Sequence, residues 1–172
     1  GIRAREEAGG SWGARKVFGG RGPHGDFDNT EVGGFVGKNP GQAHGLPQTR
    51  KVLNDIAKDP ARSMIVLDPA LTDSARMADF HLRVKPGTDA WCLSAMIATI
   101  VQENLTDVAF IAAHTRGFEA IRPHFESLDI SDYAGFCDVD EELIRSASLR
   151  IAQAESVAVF EDLGTQQNVH ST

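Results

Sequence analysis

Residues 64–89, MIVLDPALTDSARMADFHLRVKPGTD, constrain this chain more than any other stretch. Met64 to Leu67 is a short, continuous apolar run, the pattern of a strand buried on both faces of a parallel sheet. Asp68-Pro69 ends it. A short helical turn over Leu71 to Met77 leads to a second strand at His81 to Val84, and Gly87-Thr88-Asp89 forms a turn that opens a long helix. This layout puts an acidic turn after one strand and a tight glycine turn at the next helix start. Both fall at the edge of a parallel sheet, where nucleotide-like ligands bind.

The flanking segments extend the same architecture. Glu31 to Val36 reads as a strand weakened by Gly33-Gly34, running into the turn Gly37-Lys38-Asn39-Pro40. Leu46 to Lys58 is helical, with Val52, Leu53, Ile56 and Ala57 on one face and Asp59-Pro60 as its stop. After Thr88, a plausible N-cap, a helix runs to about Asn104 with an apolar stripe of Ala90, Trp91, Leu93, Ile97, Ile100 and Val101. Helices over Asp107 to His114 and Phe118 to Phe125 follow. Another, capped by Asp138 or Asp140, turns Leu143, Ile144, Ala147, Leu149, Ile151 and Ala152 inward. A strand at Val157 to Phe160 then ends in a loop over Asp162 to Gln166. This order predicts an α/β, Rossmann-like three-layer domain with a mostly parallel sheet over residues 29–172. Residues 1–28, rich in Gly and Arg, read as a poorly structured lead with little to bury.

Composition narrows the functional classes. With 172 residues, 41% of them apolar, the chain suits one domain with a real core. Its net charge of −7 argues against a nucleic-acid surface, so an anionic ligand has to be held by backbone N–H groups and a few placed cations. Cys92 and Cys137 lie far apart without CxxC or clustered Cys/His spacing, and read as buried thiols rather than metal ligands. His44, His81, His114, His124 and His170 are likewise scattered. No metal site, catalytic triad, GxGxxG or P-loop is signalled, and Glu161-Asp162, acids that could in principle serve catalysis, read rather as part of a solvated loop. Without a membrane-length apolar run or signal peptide, a soluble, cytoplasmic chain is the expectation.

Three turns can carry chemistry. In the first, Gly37 allows close backbone approach to a ligand and Asn39 offers both a donor and an acceptor; a plain turn uses the same residues. In the second, Asp68-Pro69, the carboxylate could meet ribose or base N–H groups, or form an Asx-turn or helix cap. The third is Gly87-Thr88-Asp89. A carboxylate accepts two parallel hydrogen bonds, and guanine presents two adjacent donors on its Watson–Crick edge. Adenine sets an acceptor beside a donor there. Asp89 is therefore apt for guanine, although an Asp in a first helical turn also complements the helix dipole.

Four collinear stretches, FVGKNPGQAHG at 35–45, IVLDPALTDSARMADFHLRVKPGTDA at 65–90, HTRGFEAIRPH at 114–124 and VAVFEDLGTQQNVHS at 157–171, resemble the prokaryotic molybdopterin oxidoreductases. That group includes formate dehydrogenases, nitrate reductases and dimethyl sulfoxide reductase. The resemblance covers residues 26–172 and implies the Rossmann-like domain that binds part of a bis-molybdopterin guanine dinucleotide. It places Gly37 and Asn39 against the cofactor. Asp68, Pro69 and Thr72 would line the nucleotide end, and Gly87, Thr88 and Asp89 would hold the guanine. Gly164 and Gln166 would form a contact loop near the pterin. The pattern departs at Ala70, where members often carry a basic residue. The segments that carry the iron–sulfur cysteines and the molybdenum ligand have no counterpart here. The remaining domains of a parent oxidoreductase are thus the implied partners, and the chain alone should show no turnover. Two alternatives stand beside this: a non-catalytic scaffold or interaction module derived from the fold, and the central domain of a thiamine-diphosphate enzyme.

Overall fold

A computed structural model describes residues 25–42, 45–162 and 165. Strands β1 (Val32–Val36), β2 (Ser63–Leu67), β3 (Phe80–Leu82) and β4 (Val157–Glu161) form one sheet in the order β3-β2-β1-β4. Every pairing is parallel, with Val32 opposite both Ser63 and Val157, and Ile65 opposite Phe80. All four carboxyl ends therefore lie along one edge. The helices among the described residues are α1 (Thr49–Lys58), α2 (Asp73–Met77), α3 (Asp89–Gln102), α4 (Val108–His114), α5 (Phe118–Ser127), α6 (Ile130–Cys137) and α7 (Glu141–Ala152).

The strand period of two sorts the sheet residues into two cores. Phe35, Met64, Val66 and Ala158 pack with Val52, Leu53 and Ile56 of α1 and Ala75 of α2. Val32, Ile65, Leu67 and Leu82 pack on the other side with α3, α6 and α7. The result is the expected α/β three-layer fold. Gly33-Gly34 does not weaken β1. A Cβ at Gly33 would stand 3.1 Å from Ile56 Cδ1, and one at Gly34 would stand 3.2 Å from Val159 Cγ2. Glycine is what lets α1 and the β4 side chains close onto the central strand.

Helix faces depart from the stripes read in the sequence. In α3 the buried positions are Asp89, Cys92, Ala95, Met96, Ala98, Thr99 and Val101, whereas Ala90 and Ile97 are exposed. This helix packs against α5, α6 and α7, and small side chains set the approach while larger apolar ones occupy its margins. Ala57 of α1 is exposed too, leaving Val52, Leu53 and Ile56 as its inner face. In α7 the buried set is Ile144, Ala147 and Ser148, with Leu143 and Ile151 at the rim. Helix α6 was not foreseen: its eight residues include Gly135, and Asp129 caps it by accepting from the Asp132 N–H at 3.1 Å. Asp140 caps α7, whereas Asp138 ends α6 at a φ of 60°.

The amino edge of the sheet is braced by guanidinium groups. Arg62 donates to the carbonyls of Thr30 and Phe27, each at 2.7 Å. Arg150, on α7, donates to the Ala61 carbonyl at 2.8 Å and the Ser63 hydroxyl at 2.9 Å. Phe27 itself is buried and stacks on Phe35 with ring centroids 5.2 Å apart. It belongs to the packed unit, although it lies within the stretch read as having little to bury. Beside β4, where Val157 and Val159 stay 40% and 54% exposed, a small apolar groove runs along Gly34, Leu93 and Ile151.

Cys92 of α3 and Cys137 of α6 are both fully buried free thiols, and Cys137 Sγ donates to the Ala134 carbonyl at 3.4 Å. The interaction between the two thiols, and burial after it, raises the Cys92 pKa, while the same interaction lowers that of Cys137. Two outcomes follow. Phe35→Ala should destabilise the fold by about 3–5 kcal/mol in denaturant unfolding, since it empties the core under α1; a loss below about 1 kcal/mol contradicts this packing. Neither thiol should react with iodoacetamide at pH 8 until the chain unfolds, and modification of the native chain at the rate of a free thiol contradicts their burial.

Candidate functional site at the carboxyl edge of the sheet

Each strand ends in a turn whose polar groups are tied to a neighbouring turn, so that a stitched rim forms. At the end of β1, Gly37 takes a φ of 59°, a left-handed value that favours glycine, and its N–H donates to the Leu67 carbonyl at 2.9 Å. Asn39 Oδ1 accepts from Ser74 Oγ at 2.7 Å, and Ser74 Oγ accepts from the Gly41 N–H at 3.4 Å. The turn after β1 is thereby moored to α2. Lys38, between Gly37 and Asn39, is only 3% exposed. Its ammonium pairs with the Asp162 carboxylate just beyond β4 and lies 4.5 Å from the Phe160 ring centroid.

At the end of β2, the Asp68 side chain accepts from the Ala70 N–H at 2.8 Å, which makes it an Asx-turn. The cap of α2 is Thr72 instead, whose hydroxyl accepts from the Ala75 N–H at 3.1 Å. The β3 segment crosses onto this turn. The Asp68 N–H donates to the Leu82 carbonyl at 3.3 Å, and His81 Nε2 lies 2.9 Å from the Asp68 carbonyl oxygen. Arg83 Nε donates to the Pro69 carbonyl at 3.1 Å, which brings a guanidinium to a turn whose own position 70 is Ala.

Beyond β3, Lys85-Pro86-Gly87-Thr88 closes with the Thr88 N–H donating to the Lys85 carbonyl at 3.1 Å. Proline second and glycine third, the latter at a φ of 86°, make the type II pattern. The turn is held from below by the Lys85 N–H donating to the Cys137 carbonyl at 3.0 Å. Thr88 occupies the N-cap position of α3, but its hydroxyl donates to the Lys85 carbonyl at 2.7 Å and caps nothing. Its side chain belongs to the turn, not to the helix. Asp89, in the first turn of α3, is 5% exposed and engaged within the protein.

Gly37, Asn39, Asp68, Pro69, Thr72, Gly87, Thr88 and Asp89 thus all follow carboxyl ends of parallel strands. Gly164, Gln166, His44 and His170 lie outside the described residues. Four contributors escaped the sequence reading: Lys38, Ser74, Arg83 and Asp162. Lys38 carried a signal, a cation set between Gly37 and Asn39 at a strand end. The others join the rim only through long-range contacts. Among the described residues no group of three His, Cys, Asp or Glu could hold a metal ion. What the rim offers a ligand is two positive-φ glycines for close approach, with carboxylates and cations beside them. No helix among the described residues is long and apolar enough to cross a membrane.

No family model matches the chain. Individual proteins do. The assimilatory nitrate reductase catalytic subunit of Bacillus subtilis is 35% identical over 116 residues, covering 67% of this chain and 16% of that protein. Formate dehydrogenase H of Escherichia coli is 35% identical over 142 residues, covering 83% of this chain and 19% of that protein. Among solved structures, acetylene hydratase from Pelobacter acetylenicus superposes with a TM-score of 0.76 at 26% identity, over 86% of this chain and 20% of its own. The chain spans about a fifth of the length of the curated relatives it matches. By its collinear motifs, its parallel α/β fold and these relatives, the chain belongs to the molybdopterin oxidoreductase family.

Proposed function

We propose that this chain is the part of a molybdopterin oxidoreductase that anchors a molybdopterin guanine dinucleotide by its guanine end. The supporting observation is the Lys85–Thr88 type II turn, which sits at the carboxyl edge of the sheet and delivers the chain into Asp89. In this reading Asp89 accepts from the two adjacent donors of guanine, with Gly87 and Thr88 offering backbone at close range. Asp68, Pro69 and Thr72 line the nucleotide end, Gly37 and Asn39 lie against the cofactor body, and Gly164 and Gln166 contact the pterin. In the parent enzyme the cofactor is the bis form.

When bound, the cofactor supplies metal-centred two-electron chemistry; the residues of this chain bind and orient it. The ligands to the metal, any iron–sulfur cluster and the substrate pocket belong to the remaining domains of the parent, which are its partners. The isolated chain then shows no turnover. Neither the scaffold reading nor the thiamine-diphosphate reading is favoured by the relatives found.

Calorimetry on the 172-residue chain tests the guanine assignment. GMP should bind more tightly than AMP, and Asp89→Asn should erase most of that preference, about tenfold or more for a charge-assisted pair. Equal binding of GMP and AMP, or binding of neither, would sink the reading. Gly87→Ala should weaken GMP binding and cost about 1 kcal/mol or more of stability, because a side chain at positive φ strains the turn. Unchanged affinity and melting temperature in Gly87→Ala would contradict the role given to that turn.

A further inference from the structure

Lys38 is a buried cation at the place where ligands reach a sheet of this order. With β1 inside and β2 and β4 on either side of it, the carboxyl ends of β1 and β4 flank the topological switch point. Lys38 follows β1 by two residues, and Asp162 is the first residue after β4. The Lys38 side chain is buried, its ammonium paired to the Asp162 carboxylate and set against the Phe160 ring. Gly45 closes in from outside: a Cβ there would stand 3.0 Å from Phe160 Cζ and 3.6 Å from Lys38 Nζ. Packing therefore fixes the position of this cation, unlike a surface lysine on a free stem.

The pair is asymmetric. Lys38 is 3% exposed but Asp162 is 27% exposed, so the anion is the partner facing solvent. An ammonium held in low dielectric needs an anion beside it. A ligand anion arriving from solvent meets Asp162 before it meets Lys38. The net charge of −7 gives such a ligand no long-range attraction, so a local cation has to supply it.

We propose that Lys38 is the residue that holds the phosphate bridge of the cofactor, and that Asp162 is its internal counter-ion, displaced when the pyrophosphate binds. The inference rests on the chain being a nucleotide-cofactor domain. Because Asp162 competes for the same cation, the pyrophosphate alone binds weakly. It gains strength only when the rest of the ligand is anchored as well. Specificity at this edge then comes from needing both ends of the dinucleotide together.

Inorganic pyrophosphate, titrated by calorimetry into the 172-residue chain and three variants, tests this. Asp162→Asn should tighten pyrophosphate binding roughly tenfold by removing the competitor. Lys38→Met should abolish it, and Lys38→Arg, which keeps the charge, should retain it. Unchanged or weaker binding by Asp162→Asn, retained binding by Lys38→Met, or binding by none of the chains overturns the proposal. Guanosine, which has no phosphate, reports the guanine grip separately. If guanosine fails to bind while pyrophosphate behaves as expected, the guanine assignment falls and the Lys38 assignment stands.

Discussion

The parallel register of β1 against both β2 and β4 is the constraint on which the rest of the molecule depends. It lines up four carboxyl ends on one edge, so that turns distant in sequence become neighbours. It also makes β1 a strand paired along both sides and covered on both faces, which is why its middle is glycine. A side chain at position 33 would meet Ile56 of α1 at 3.1 Å and press that helix away from the sheet, and one at position 34 would crowd Val159 of the neighbouring strand at 3.2 Å. The same closeness governs α3, where Cys92, Ala95, Ala98 and Thr99 let three further helices gather around one axis. Small residues set the spacing, and the large apolar ones fill what is left.

The two edges of the sheet use polar groups differently. At the amino edge, Arg62 and Arg150 spend their N–H groups on main-chain carbonyls, which ties the start of β1 to β2 and α7. Those are structural bonds between rigid parts. At the carboxyl edge the bonds run from one loop to another or to a helix end: Arg83 to Pro69 and Lys38 to Asp162, Asn39 to Ser74 of α2, Lys85 to Cys137 of α6. They hold the turns in place while leaving glycine-lined backbone near the rim. Binding groups on short, mutually braced turns need little reordering when a ligand arrives, which is where affinity is otherwise lost.

Much of this was legible in the chain itself. The continuous apolar run at Met64–Leu67 marked a doubly covered strand, and Gly87 marked a turn before α3, although that turn runs over Lys85–Thr88 and not Gly87–Asp89. What escaped has a common cause. Helix α3 is apolar around most of its circumference, so periodicity could not say that Cys92 and Met96, rather than Ile97, face the core. Helix α6 is short, and Gly135 dilutes its pattern. Lys38 and Asp162 lie 124 residues apart, and only the β1–β4 pairing makes them partners. Asp68 could have formed an Asx-turn or capped α2; the hydrogen bond from the Ala70 N–H decides that it turns back on its own loop, and the cap is Thr72, which the sequence reading did not offer. Local chemistry was readable, whereas contacts created by strand order were not.

The central claim is that the carboxyl edge is the ligand edge of this sheet. Backbone amide resonances of the 15N-labelled chain, followed during titration with GMP, test it most directly. The account predicts shifts confined to the turns around Gly37–Asn39, Asp68–Thr72 and Gly87–Asp89, with Arg62, Ser63 and Ser156 at the opposite edge unmoved. Shifts centred on that amino edge, or on the apolar groove along Val157 and Val159, would contradict it.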